Sequence, residues 1–332
     1  MMNDNKKNYH FVDENYEDFK NKAWDLFQFQ SKNNTLYHNY LELLPNCFPN
    51  RENLFSIPFL PVHFFKNQFI QSGVWEPEII FSSSGTTGSS QSKHAVRHLD
   101  YYLENTEHCF SACYGDVQNY AFMALLPHYL DRKGSSLVEM SAHFIKKSRF
   151  PSYCGFFLNH KDKLLDLLIK AKNKAIPVVL IGVTFALLDL AKDFPFEFPQ
   201  LIVMETGGMK GQGRELPRME LHEILKKAFG VPQIHSEYGM TELLSQAYAP
   251  SDGLFRESKV LKILIRDITD PFHELPDGKV GAVNIIDLAN KDTISFIATD
   301  DLGRKLPNGC FEILGRLDNA EIRGCNLLLH EV

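Results

Sequence analysis

The 332-residue chain predicts an α/β fold: a mostly parallel sheet covered by helices, followed by a β-rich C-terminal lobe. Three observations predict it. Val178-Val-Leu-Ile-Gly-Val183 and Gln200-Leu-Ile-Val-Met-Glu205 are apolar runs of strand length without polar alternation, as strands buried on both faces require. Stretches with helical spacing over 161–173, 185–192 and 214–229 separate or follow them, which is the β-α-β-α order of a parallel sheet. From about residue 255, short apolar runs alternate with turn signals such as Pro276-Asp-Gly278 and Pro307-Asn-Gly309, the texture of a compact β lobe.

Residues 1 to about 45 read as helical, because Phe19, Trp24, Phe27 and Phe29 fall near helical intervals and 36–44 continue the pattern. Pro61 makes Leu60-Pro-Val-His-Phe-Phe-Lys66 a loop or the start of a helix, with Lys66 facing solvent or a ligand. Glu78-Ile-Ile-Phe81 reads as a strand, 99–113 as a helix and 120–126 as a strand ending in Pro127-His-Tyr129. Ser135 or Ser136 is the N-cap of the next helix. Gly230 and Pro232 close the helix over 214–229. Strands are expected at 260–266, 281–287, 294–299 and 310–314. The chain thus divides into a helical N-terminal layer (1–75), an α/β core (76–254) and a β-rich lobe with a short tail (255–332).

Composition narrows the function. A net charge of −6 with no basic stripe argues against a nucleic-acid partner. The polar, acidic N-terminus is no signal peptide, and no apolar run approaches 18 residues, so no membrane span is expected. Six cysteines without a C-x-x-C pair suit a reducing cytoplasm rather than a disulfide scaffold. Cys109 and Cys113 stand four apart on a helix beside His108, the spacing of a metal site but more often that of small buried thiols. His94 and His98 lack the glutamate of an H-E-x-x-H pattern and read as surface or loop histidines. His128 gates a pocket or is a hydrogen-bonded structural histidine.

Phe81-Ser-Ser-Ser-Gly-Thr-Thr-Gly88 follows a strand. Its glycines let backbone N–H groups approach a ligand and its hydroxyls add donors, so it cradles phosphate oxygens or is a polar turn. It is not a Walker A loop, because Gly85 is followed by Thr-Thr-Gly-Ser-Ser-Gln. Gly207-Gly208 follow a strand, at the sheet edge where open α/β folds bind ligands. Tyr238-Gly-Met-Thr-Glu242, Thr299-Asp-Asp-Leu-Gly303 and Gly315-Arg-Leu-Asp318 complete an ordered set.

In this order the motifs resemble those of adenylate-forming enzymes, the superfamily of acyl-CoA synthetases and luciferases. The details resemble most the acyl-protein synthetase (LuxE-like) branch, with phenylacetate-CoA ligases as cousins. Leu60–Lys66, Ser82–Gly88, Leu126-Pro-His, Glu205-Thr-Gly-Gly208, Ser236–Glu242 and Glu321-Ile-Arg-Gly-Cys325 carry the likeness, over roughly 55–329. The resemblance implies ATP-dependent activation of a carboxylic acid, fatty by the branch it resembles, to acyl-AMP, with transfer to a thiol. It implies that Ser84, Gly85, Thr86, Thr87 and Gly88 wrap the phosphates and that Thr241 donates to the α-phosphate. Glu242 would hold Mg²⁺, a hard cation that takes oxygen ligands. Tyr238, with Gly239 beside it, would stack on adenine against Gly207-Gly208. Asp301 would accept the ribose hydroxyls, and Arg316 would approach ribose or phosphate.

Two departures stand out. Ser89-Ser-Gln-Ser-Lys93 replaces a Pro-Lys-Gly, so Lys93 takes that role only loosely. The sequence ends at Val332, soon after Asp318, so the small mobile lobe of the familiar enzymes is expected to be absent. Cys325, with Arg323 to favour its thiolate, matches the cysteine that LuxE-like proteins acylate; equally, it reads as a small apolar residue beside Leu327–Leu329. An acyl carrier, CoA or a reductase would be the onward partner. The rivals are a ligase that never acylates itself and a nucleotide-binding scaffold without catalysis.

Overall fold

The computed structural model describes residues 16–44, 47–83, 91–126, 134–192, 197–207 and 216–317. Tyr16–Asn33 (α1) and Thr35–Glu42 (α2) open the chain. Asn34 between them accepts from the Tyr37 N–H at 3.0 Å, satisfying a donor that the first turn of α2 leaves open. Leu60–Pro61 (β1) and Phe64–Asn67 (α3) follow, so the Pro61 segment is a strand end leading into one helical turn. Ile79–Ser82 (β2) pairs antiparallel with Lys93–Val96 (β3) in a separate hairpin.

The α/β part comprises Leu99–Tyr114 (α4), Ala121–Leu125 (β4), Ser136–Lys147 (α5), Gly155–Phe156 (β5), Lys161–Asn173 (α6), Val178–Val183 (β6), Thr184–Lys192 (α7), Ile202–Thr206 (β7), Arg218–Phe229 (α8) and His235–Tyr238 (β8). The described part of the last helix begins at Arg218, with Pro217 as its N-cap at ψ 141°. A residue before proline avoids helical dihedrals, so Leu216 does not prolong the helix. Gly230 closes it in the left-handed conformation, as its position predicts.

The C-terminal part comprises Ala247–Ala249 (β9), Phe255–Arg256 (β10), Leu261–Arg266 (β11), Gly281–Asp287 (β12), Phe296–Lys305 (β13) and Cys310–Arg316 (β14). Among the described residues one 12-stranded sheet runs in the order β11-β12-β13-β14-β10-β9-β8-β7-β6-β4-β5, with β1 added parallel to β13. Its β5-β4-β6-β7-β8 section is wholly parallel, and the section from β8 to β11 is antiparallel. The parallel, helix-covered part and the β-rich C-terminal part are both present, but they are joined in one mixed sheet.

Two apolar cores sit on this sheet. One packs β4, β6 and β7 against α4–α8, with Phe110, Leu125, Leu180 and Leu225 buried. The other packs β11–β14 against the N-terminal helices, where Phe27 meets Phe296 edge-on at 6.1 Å. Polar bonds fix that second contact: Gln30 donates to the Asn290 carbonyl at 2.9 Å and accepts from Ser295 N–H at 3.0 Å. Burial of both amide ends makes this a register lock as well as an attraction.

Candidate active site

The carboxyl ends of β7 and β8 are neighbours, with Thr206 opposite Glu237. Gly207 leaves β7 at φ +70°, a conformation that favours glycine. Thr206 donates its hydroxyl to Glu237, and a Cβ on Gly239 would collide with the same carboxylate. A side chain at position 239 would thus have to displace the Glu237 carboxylate that Thr206 holds.

Tyr238 reaches across the sheet and donates to Asp301 Oδ2 at 2.7 Å. Phe255 and Phe311 flank its ring edge-on at 5.9 and 6.3 Å. Asp301 lies in β13 opposite Arg316 in β14, and Arg316 Nε stands 3.7 Å from its Oδ1. Burial pushes the Asp301 carboxyl up, against the Tyr238 hydrogen bond and the Arg316 charge. Burial raises the Tyr238 hydroxyl well above its ordinary value, and the Asp301 charge adds to it. Asp301 sits inside a strand because β13 continues to Lys305, beyond the stretch at 294–299 predicted from its apolar run. A register shift between Leu302 and Gly303 accompanies this polar section.

Thr241 and Glu242 form the turn after Tyr238. Glu242 is 7% exposed; burial raises its carboxyl, and a hydrogen bond from Ser92 opposes that shift. The Glu242 carbonyl accepts from Asn290 Nδ2 at 2.8 Å. Asp287, fully buried at the end of β12, accepts from the N–H groups of Leu244 and Ser245 at 2.9 and 3.0 Å. It also takes the Ser245 hydroxyl at 2.6 Å. The turn is thus held by Asp287 at the end of β12 and by Asn290 just beyond it.

Ser84, Gly85, Thr86, Thr87, Gly88, Gly208 and Cys325 lie outside the described residues, as do His128 and Asp318. The base of the hydroxyl-rich stretch is described. Ser83 N–H donates to the Ser92 carbonyl at 3.1 Å, and Ser92 N–H donates to Ser83 Oγ at 3.0 Å. Through Ser92 this base touches Glu242, so residues 83, 92, 241 and 242 share one corner. Lys93 beside it is exposed.

The expectation that His94 is a surface or loop histidine is wrong. It is 1% exposed in β3, with Nδ1 2.9 Å from the Thr241 carbonyl and Nε2 3.0 Å from Thr293 Oγ1. Its strand is four residues long and follows a Ser/Gly/Thr run, too short to show an apolar period. His98, by contrast, is exposed at the start of α4. Cys109 is buried, its thiol pushed up to about 12 by desolvation, and no group of three metal-binding side chains occurs among the described residues.

Sequence reasoning also missed Asp287, Asn290 and Glu205. A carboxylate ending a largely apolar strand, as in Gly281-Ala-Val-Asn-Ile-Ile-Asp287, was the available signal. Glu205 is 6% exposed before Thr206. Burial alone would raise its carboxyl, but His222 and Arg218 hold it below the usual range.

A cavity of about 910 Å³ opens farther along the same sheet edge, at the end of β4 and against α7 and α8. Leu125, Leu158, Phe185, Leu188, Ala191 and Ile224 line it, with Lys161 and Asp189 paired at its border. It does not include the Tyr238–Asp301 pair.

The fold is similar to that of ATP-bound MatB from Rhodopseudomonas palustris (TM-score 0.51, 19% identity, 71% of this chain and 47% of that one). It is also similar to an open 2-hydroxyisobutyryl-CoA ligase in complex with 2-HIB-AMP and CoA (TM-score 0.60, 12% identity, 90% of this chain and 74% of that one). The chain spans about half the length of MatB. The architecture is thus that of adenylate-forming enzymes. No curated protein matches the sequence. The family model for acyl-protein synthetase, LuxE, matches residues 9–332, and the chain belongs to that family.

Proposed function

We propose that this protein activates a carboxylic acid as its acyl adenylate and then passes the acyl group to a thiol. The observation that carries the reading is the convergence of Tyr238, Asp301 and Arg316 with the Thr241–Glu242 turn, which Ser92 and His94 tie to the base of the hydroxyl-rich stretch. In the first step a carboxylate oxygen attacks the α-phosphorus of ATP, and the bond to the bridging oxygen breaks to release pyrophosphate. Two anions must meet in line, so orientation and charge cancellation carry the catalysis.

In this reading the adenine lies between the Tyr238 ring and the Gly207–Gly208 backbone, and Asp301 accepts from the ribose hydroxyls. The Tyr238 hydroxyl already points a donor at Asp301, so it fixes the carboxylate for the sugar. Thr241 and the stretch 84–88 contact the phosphates, with Arg316 at the exposed side. The residues fit Mg²⁺: Glu242 offers one buried carboxylate, and that ion is usually held by one or two carboxylates together with substrate phosphates. When bound it would neutralise phosphate charge. In the second step a thiolate, of Cys325 or of a carrier, CoA or a reductase partner, attacks the acyl carbon and AMP leaves.

Pyrophosphate–ATP exchange with Mg²⁺ and a panel of acids tests the reading. Acid-dependent exchange is expected, strongest with fatty acids, and none with any acid sinks it. Intact mass after incubation with ATP and mixed acids reports whether Cys325 carries a thioester.

A further inference from the structure

His94 belongs to none of the motifs, yet it is the side chain at which three segments meet. A carbonyl oxygen only accepts, so the contact to Thr241 places the ring proton on Nδ1. Nε2 is then the acceptor, and the Thr293 hydroxyl donates to it at 3.0 Å. Phe65 stands edge-on to the ring at 5.4 Å. Thr293 closes the turn after β12, whose Asp287 and Asn290 grip residues 242–245 from the other side. Two residues before His94, Ser92 closes the base of the hydroxyl-rich stretch against Ser83 and bonds Glu242.

We propose that His94 is a positioning residue for adenylation: it sets the separation between the β2–β3 hairpin, which carries the hydroxyl-rich stretch, and the Thr241–Glu242 turn. The inference rests on the adenylate reading above. Phosphate-binding groups from two distant segments act together only if their spacing is held. A misplacement of about 1 Å costs on the order of 10²-fold in rate. A buried neutral ring bonded at both nitrogens holds that spacing without adding a charge to a site that must accept polyphosphate.

The test compares His94→Leu, which keeps bulk and removes both bonds, with His94→Asn, which keeps an amide donor toward Thr241. Exchange kinetics are measured with an acid that the wild type turns over, at a temperature where each variant is folded by circular dichroism. His94→Leu is expected to lose about 10²-fold in kcat with the KM of the acid within about twofold, because positioning acts on the transition state. His94→Asn is expected to recover about tenfold of that loss, a rescue that a purely structural role would not show. A folded His94→Leu that exchanges within about twofold of wild type overturns the proposal, as does His94→Asn performing no better than leucine. If His94→Leu does not fold, Thr293→Val replaces it. Loss of the Nε2 partner should then cost about fivefold in kcat, and an unchanged rate overturns the proposal. Absence of exchange in the wild type sinks the adenylate reading alone. His94 is then decided by AMP binding in calorimetry: about tenfold weaker in His94→Leu supports it, and equal or absent binding overturns it.

Discussion

The parallel and antiparallel halves of the sheet contribute to the site in different ways. In β6 every residue from Val178 to Val183 is buried, because helices cover both faces. In β11 burial alternates along Leu261–Arg266, because one face packs on the N-terminal helices and the other is wetter. The parallel half admits carboxylates within its strands only toward their carboxyl ends, at Glu205 in β7 and Glu237 in β8. It offers strand ends: Gly207 after β7, and Tyr238 and the Thr241–Glu242 turn after β8. The antiparallel half places Asp301 and Arg316 within paired strands, at a register shift where the pleat is broken. In the proposed reading one half is a frame that offers its strand ends, and the other supplies the carboxylate for the ribose. Core changes in the first should cost stability, and polar changes in the second should cost chemistry.

The sharpest break of that comparison is Leu180→Ala. Leu180 is fully buried in β6, so the cavity left behind should destabilise by about 2–5 kcal/mol. Urea unfolding should show this, while the KM for ATP of the folded fraction stays near wild type. An unchanged midpoint would contradict the frame role.

The next effect is in pH. Burial lowers His94 from 6.5 to about 4. The unfolded chain therefore binds the proton first, and stability present above pH 6.5 is lost as pH falls toward 4. A shift of that size corresponds to roughly 3 kcal/mol. His235, also lowered to about 4 by burial, adds in the same direction. Thermal unfolding of wild type and His94→Asn between pH 7 and 4.5 should diverge, with the variant falling less steeply.

Asp301→Asn probes the antiparallel half. Loss of the ionised acceptor should lower exchange by about 10²-fold, which is about 2.7 kcal/mol. Because burial raises the Asp301 carboxyl, neutralising it should leave the melting temperature unchanged or higher. A large loss of stability would mean that the carboxylate is structural.

Tyr238→Phe is the mildest of the series. It removes one hydrogen bond to Asp301 but keeps the ring against Phe255 and Phe311. A cost of about 1–2 kcal/mol in kcat/KM for ATP is expected, because Asp301 keeps Arg316 nearby. An effect larger than that of Asp301→Asn would reverse the assigned order.

The sequence by itself determined the buried strands of both halves of the sheet. Runs such as Val178–Val183 and Gly281–Asp287 match the observed strands because their apolar length leaves no other way to bury them. Lys161–Asn173 matches because its amphipathic period and ends are local properties. The Tyr238–Glu242 motif stands out as a pattern for the same reason: it is written in adjacent residues. Only the tertiary structure decided that His94 is buried, that Asp287 and Asn290 hold the turn after Glu242, and that Tyr238 donates to Asp301. Those partners lie 147, 48 and 63 residues apart in sequence. No local pattern encodes such pairings, because a histidine or aspartate is neutralised by whatever polar group the fold delivers to it. Burial, set by the whole sheet, turns an ordinary polar residue into a fixed part of a site.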